Sequence, residues 1–349
     1  MKRIGYLFNK ICEIDNIKLA IMKASLGKRR RPFVREIIND IDEYASVIQK
    51  MLVNKEYQPS RYRVTNILDG ACKKERVIHV PRFFPDQVIH WALMLQIESV
   101  IMRGMYTFSC GSIPGRGTSY AQKYLRKWID SDYRGTKYCL KMDISKFYPS
   151  VNQTILKGMF RKIIKDKDCL WLIDTIIESV ESGLPIGNYT SQWFSNYFLQ
   201  GLDHYIKKDL SAKYYIRYID DLVILGGNKR EMHKIRNGIA AYLANMDLKM
   251  KDNWQVFKID SRDIDFLGFR FYRNKTTLRK RNALRIRRRM VKISRKDQLN
   301  FHDACAVVSY WGWIKRSNSF NFYCRLVRPY VNIQTAKRRI SYYAKTASL

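Results

Sequence analysis

The sequence predicts an α+β fold in which an antiparallel sheet, flanked by helices, carries carboxylates at its strand ends. Three observations lead there. Tyr214 to Leu225 reads as two β-rich runs broken by Asp220-Asp221, the pattern of a hairpin with an acidic tip. Leu140-Lys141-Met142-Asp143 alternates and ends on a lone Asp before Phe147-Tyr148-Pro149, a strand running into a turn and helix. Gly183-Leu184-Pro185-Ile186-Gly187 makes a loop, and the apolar-periodic residues up to Leu199 make a helix that Thr190 or Ser191 can cap.

The other elements follow in order. Residues 1–60 read as a helical extension, with Lys28-Arg29-Arg30-Arg31 before Pro32 and an amphipathic stretch from Val34 to Leu52. Residues 61–135 carry short strands and a turn rich in Gly and Pro, and residues 136–275 hold the carboxylates. Residues 276–349 read as a basic helical region. From Lys275 to Lys296 there are eleven basic residues and no acidic one, above a stripe of Ala283, Ile286, Met290 and Ile293 at helical spacing. So many uncompensated cations favour contact with a nucleic-acid backbone over a merely solvated face. No internal repeat or low-complexity linker interrupts the chain.

Adjacent carboxylates raise each other's pKa, and a divalent cation is the natural compensation. An inert Asp-Asp turn is the alternative for the Tyr218–Asp221 tetrapeptide alone. Asp143 could complete a cluster, because magnesium favours a few carboxylates and leaves its other positions to water and substrate phosphates. Two such ions could activate a 3′-hydroxyl and stabilise departing pyrophosphate in an in-line displacement.

Taken together and in order, these segments resemble the palm of a reverse transcriptase. Asp143, the Gly187-x-x-x-Ser191-Gln192 stretch and Tyr218-Ile219-Asp220-Asp221 look like that family's A, B and C motifs. Phe266-Leu267-Gly268-Phe269 looks like its primer-grip turn. Arg76-Val77-Ile78-His79-Val80-Pro81, Asp86-Gln87-Val88-Ile89-His90 and the run from Phe108 to Thr118 resemble its fingers. Co-occurrence in this order is far more specific than any single motif. The resemblance implies a right-hand polymerase: fingers in 61–135, palm in 136–275 with part of the fingers between motifs, and a helical basic thumb in 276–349.

It also implies an activity, RNA-directed DNA synthesis with two Mg2+ ions, or Mn2+ in their place, on a template RNA and its RNA–DNA hybrid with dNTPs. Asp143 and Asp220 would hold the metals, with Asp221 in support and the Ile144 carbonyl as a further ligand. Arg76, with Lys74 as a second candidate, would clamp the triphosphate, since a guanidinium suits bidentate phosphate contact. Tyr148 stands where the family's aromatic blocks a ribose 2′-hydroxyl. Ile186, Gly187, Ser191 and Gln192 would line the pocket for template and nucleotide, and Lys251 would sit near pyrophosphate as an acid. Arg116, Gly268, Arg281, Arg285, Arg288 and Lys292 would touch nucleic acid, whereas Trp311 and Trp313 read as core aromatics.

Most relatives have Gln before the motif-B Gly and Ser-Pro after it, where this chain has Ile186 and Ser191-Gln192. That variant resembles the enzymes of diversity-generating retroelements and bacterial reverse transcriptases of phage defence. The template would be a repeat RNA or a noncoding RNA, and an accessory protein or second polymerase would be a partner. Ile186 has no amide to offer, so relaxed fidelity is expected. An RNA-directed RNA polymerase is one rival reading, although it would favour a 2′-hydroxyl partner where Tyr148 stands. A catalytically idle RNA-binding protein is the other, and retention of all three acids disfavours it.

Composition agrees. The 349 residues are 46% apolar and 13% aromatic, enough for a sizeable core. Their 65 Lys and Arg against 31 Asp and Glu leave +34, a charge that calls for a polyanionic partner. No apolar run is long enough to span a membrane. The start, Met1-Lys2-Arg3-Ile4-Gly5-Tyr6, lacks a signal peptide's apolar region. Seven cysteines without a Cys-x-x-Cys pair suggest reduced thiols and no zinc, in the cytoplasm of a bacterium or as a phage product. Beyond Asp265 only Asp297 and Asp303 are acidic, and the five histidines form no cluster, so no nuclease site is expected there.

Overall fold

A computed structural model describes residues 3–69 and 74–346. The chain divides into two compact units. The first comprises Met1–Gly117, Met142–Val223 and His233–Trp254; the second comprises Thr118–Lys141, Ile224–Met232 and Gln255–Leu349.

Four helices lead: α1 (Leu7–Ile11), α2 (Ile14–Ala24), α3 (Pro32–Asn39) and α4 (Ile41–Val53). The hairpin of β1 (Arg63–Asp69) and β2 (Lys74–Val80) follows, antiparallel and in register from Arg63↔Val80 to Asp69↔Lys74. Next come α5 (Val88–Met102), β3 (Ser109–Cys110), α6 (Thr118–Ser131) and β4 (Tyr138–Asp143). The central run is α7 (Phe147–Ser150), α8 (Gln153–Ile163), α9 (Lys167–Ile177), α10 (Tyr189–Phe198) and α11 (Gln200–Lys208). Then β5 (Tyr214–Tyr218), β6 (Asp221–Gly226), α12 (Lys229–Ala244) and β7 (Gln255–Lys258) complete the main sheet. The chain ends with β8 (Ile264–Phe266), β9 (Phe269–Phe271), β10 (Thr276–Leu278), α13 (Lys280–Ser294), α14 (Phe301–Lys315), α15 (Phe320–Leu326) and α16 (Ile333–Thr346).

The α+β class holds, with helices around antiparallel strands. The five-stranded sheet has the order β3-β5-β6-β4-β7, and its edge pair β3/β5 is parallel rather than antiparallel. A separate meander, β10-β9-β8, is antiparallel throughout.

Two expectations for the N-terminal half are refined. The stretch from Val34 to Leu52 is two helices, because Asp40 leaves helical geometry at φ −105, ψ 39. Residues 61–135 also hold the long helices α5 and α6. Helix α5 buries Ile89, Ala92, Leu93, Met94 and Ile97 and keeps Trp91, Leu95 and Met102 on its half-exposed face, so it shows little amphipathic period. It packs on α2, where the Asn16 amide donates to the Ala92 carbonyl at 3.2 Å. His90 is enclosed among these helices, and burial pulls its pKa down to about 3, which keeps it neutral.

In the second unit the predicted stripe of α13 holds: Ile286, Met290 and Ile293 are buried while Arg285, Arg288 and Lys292 are exposed. Among the described residues no helix is long and apolar enough to cross a membrane.

Candidate active site

Asp143 ends β4 and Asp220 lies in the turn between β5 and β6, so two strand ends carry the two acids. The Ile144 N–H donates to the Asp220 carbonyl at 3.1 Å and holds these segments side by side. Asp143, Asp220 and Asp221 line one cavity of about 980 Å³ together with Arg76, Tyr148, Ile186 and Lys251. Burial first, and the charge of Asp143 second, push the Asp220 carboxyl up against the opposing pull of a backbone hydrogen bond, Lys251 and Arg76. The Lys251 ammonium donates to Asp143 Oδ1 at 2.5 Å, and the Lys251 N–H donates to the Asp143 carbonyl at 2.9 Å.

The expected three-acid cluster is looser than the sequence suggests. Among the described residues no group of three or more His, Cys, Asp or Glu forms a ready metal cage. The charge of Asp143 acts on Asp220, and Asp221 shares their cavity from the first position of β6. Lys251 already takes one oxygen of Asp143. The donor set still fits a hard divalent cation, which binds through few carboxylates and completes its shell with water and phosphate oxygens.

The turn that presents Asp220 is strained. Ile219 sits at φ 57, a left-handed conformation that β-branched residues rarely enter. Such a residue costs on the order of 1–3 kcal/mol and persists only where its surroundings fix it. The Ile219 N–H donates to the Cys110 carbonyl at 3.2 Å, and Arg217 Nη1 donates to the Ile219 carbonyl at 2.9 Å. Arg217 and its partner Asp203 are both fully buried. The sequence reading missed this pair. A cation beside the buried Tyr215 and Ile216 implies a buried acid, but nothing in the sequence says that Asp203 on α11 is the one.

Two glycines shape the wall opposite. Gly187 has φ 137, and a Cβ there would lie 2.1 Å from the His79 carbonyl oxygen of β2. The His79 N–H donates to the Ile186 carbonyl at 2.7 Å, so strand and loop meet backbone to backbone. Gly183, at φ 68, lets the loop lie on α7, where the Leu184 N–H donates to the Tyr148 carbonyl at 2.8 Å. Tyr148 is thereby aimed into the cavity; burial first, then nearby Asp220, raises its phenol pKa against the pull of the Ser195 hydroxyl and Arg76. The Ser195 hydroxyl lies 3.5 Å from the Tyr148 hydroxyl.

The remaining expected residues divide. Arg76 faces the acids, while the side chain of Lys74 lies outside the described residues. The N-cap of α10 is Asn188, not Thr190 or Ser191, both of which are buried in its first turn. Gly187 and Gln192 are exposed beside the cavity rather than on its lining. Ile144 is buried, its N–H engaged by Asp220. Arg116 donates to the Tyr106 carbonyl at 3.0 Å and so braces the loop before α6.

In the second unit the Gly268 carbonyl accepts from the Arg279 N–H at 3.0 Å and the Asn282 amide at 3.1 Å, which ties the β8/β9 turn to α13. Arg281 is half-buried on that helix. Trp313 stacks on Phe269 as a core aromatic, with centroids 5.3 Å apart. Trp311 instead lines a separate cavity of about 510 Å³ with Tyr323, Lys315, Arg328 and Lys337. The sequence reading also overlooked Lys146 and His79, which line the larger cavity.

Residues 60–271 match the family described as reverse transcriptase (RNA-dependent DNA polymerase). The chain is similar to the retron Ec73 reverse transcriptase of Escherichia coli, 30% identical over 138 residues, covering 36% of this chain and 44% of that protein. It is also similar to the retron Ec48 reverse transcriptase of Escherichia coli, 23% identical over 172 residues, covering 47% of this chain and 42% of that protein. The chain thus spans less than half the length of these curated relatives. Among solved structures, telomerase from Candida albicans in complex with a TWJ fragment of telomeric RNA gives a TM-score of 0.49 at 12% identity, over 82% of this chain and 59% of that one.

Proposed function

Since the chain belongs to the reverse transcriptase family, we propose that it is an RNA-directed DNA polymerase that copies a noncoding RNA into cDNA. The observation that carries the reading is the cavity that Asp143 and Asp220 line together with Arg76 and Lys251, where burial first and the charge of Asp143 second raise the Asp220 carboxyl. Asp143 and Asp220, supported by Asp221, would hold two divalent ions, Mg2+ or Mn2+. Bound there, such ions acidify a 3′-hydroxyl and neutralise a departing pyrophosphate.

The chain's own residues do the rest. Arg76 on β2 binds triphosphate oxygens, for which a planar guanidinium fork is suited. Tyr148, held by its contact with Ser195 and by the loop at Gly183, closes the cavity against a ribose 2′-hydroxyl. The ammonium of Lys251, already beside Asp143, would donate a proton to a leaving pyrophosphate. The exposed cations of α13 would guide template and primer, whereas Ser191 is buried and Arg116 braces its own loop. The two relatives named retron reverse transcriptases favour the noncoding-RNA template of the bacterial defence group over the repeat RNA of a diversity-generating element.

Primer extension on an RNA template tests the proposal. With Mg2+ the protein should incorporate dNTPs and reject rNTPs, and Asp143→Asn or Asp220→Asn should abolish incorporation while the melting temperature is kept. Efficient rNTP use would turn the reading towards an RNA polymerase. Activity surviving in Asp220→Asn would end it. Sequencing the nucleic acid that co-purifies with the chain would identify the template.

A further inference from the structure

We propose that Arg217 is a positioning residue for catalysis: its guanidinium fixes the Ile219 carbonyl and, through it, the place of the Asp220 carboxylate. The inference rests on the polymerase reading above.

A guanidinium has five N–H donors in a rigid fork, and here each has an acceptor. Nε meets Asp203 Oδ1 at 2.7 Å, and Nη2 meets Asp203 Oδ2 at 2.6 Å and Ser109 Oγ at 2.7 Å. Nη1 meets Asn196 Oδ1 at 3.1 Å and the Ile219 carbonyl at 2.9 Å. A fork so filled has no freedom to swing. Its partners are fixed in turn. Tyr215 donates its hydroxyl to Asp203 Oδ1 at 2.6 Å, and the Asn196 amide donates to the carbonyls of Gly111 and Gln192, each at 3.0 Å. The cradle therefore joins α10, α11 and β3 to one point, the carbonyl of the left-handed residue before Asp220.

The simpler account is a buried ion pair that only supports folding. Charge balance would then need Asp203 alone, and an apolar pair of matched volume would serve as well. Of the three N–H groups that reach beyond Asp203, to Ser109, Asn196 and Ile219, it gives no reason for one to grip the turn. Among the described residues, the side-chain bond to the left-handed residue comes from Arg217; the Ile219 N–H, and the Asp220 carbonyl beside it, are held by backbone groups.

The test compares the full-length wild type with Arg217→Lys and with the double variant Arg217→Met/Asp203→Leu. Melting temperature, amide exchange, Mn2+ binding by electron paramagnetic resonance, and kcat and KM for dNTP are measured on each. The double variant should recover the wild-type melting temperature while kcat stays about 100-fold down, the scale of a misplaced catalytic group, with KM for dNTP little changed. The amides of Ile219 and Asp220 should exchange at least about 10-fold faster, with those of Leu222 and Val223 unchanged, and Mn2+ should bind more weakly. Should the double variant fail to fold, Arg217→Lys keeps a cation opposite Asp203 and is read by the same exchange at the turn. A kcat that returns with the melting temperature, or an exchange pattern unchanged at Ile219 and Asp220, overturns the proposal. If even the wild type makes no DNA, it is the polymerase reading that fails, and exchange and Mn2+ titration still decide whether Arg217 holds the turn.

Discussion

Gly187 and Tyr148 make different demands on the same cavity wall. A Cβ at position 187 would press into the His79 carbonyl oxygen, and φ 137 is closed to ordinary side chains. Gly187→Ala should therefore destabilise the fold by about 1–3 kcal/mol, read as a shift of the denaturation midpoint, and should raise KM for dNTP as β2 moves from the loop. Tyr148→Ala removes bulk without strain. It should raise the preference for rNTP over dNTP by about 10- to 100-fold, the range over which a shape-filling contact discriminates; steady-state incorporation of each nucleotide measures it. Both positions were legible because motif spacing places them. Arg217 and Asp203 were not, since their meaning lies in a buried contact between a strand and a helix that no local pattern encodes.

Elements were legible where their period was. The stripe of α13 could be read directly because one apolar face lies beneath cations, whereas α5 carries apolar residues on its half-exposed face as well as its buried one, so its period is nearly lost. The exposed face of α13 should act on phosphates. Arg285→Ala/Arg288→Ala/Lys292→Ala should lower the slope of log affinity against log salt by about 2–3 if each cation neutralises one phosphate; filter binding across salt concentrations measures it. The same helix is anchored by acid chemistry. Burial would raise the Asp303 carboxyl, but Lys296 first and then Arg289 outweigh it and hold the pKa below the ordinary value. Arg289 Nη2 meets Asp303 at 2.6 Å and Lys296 also contacts it. Lowered in the fold, that pKa contributes stability above the unfolded value of about 3.9, and the contribution fades as pH falls through the folded value. Chemical denaturation between pH 6 and pH 3 should show this loss, and Asp303→Asn should flatten it while weakening the fold at pH 6.

Across the whole molecule the formal charge of +34 sets two salt effects of opposite sign. In the free protein like charges repel, and the compact state suffers from that repulsion. Raising ionic strength from about 0.1 M to 1 M shortens the screening length from about 10 Å to 3 Å, so the free chain should melt at a higher temperature. Bound RNA neutralises the same cations and stabilises the fold by mass action, by about 2.7 kcal/mol at one hundred times Kd. The added salt that relieves the free protein competes with this binding. The melting temperature of the RNA complex should therefore fall with salt while that of the free protein rises, until the two curves meet where RNA is released. Scanning calorimetry on nuclease-treated protein, with and without a defined RNA, measures both curves. Parallel curves would mean that the basic surface is balanced within the chain, and the polyanionic partner that the composition calls for would lose its physical basis.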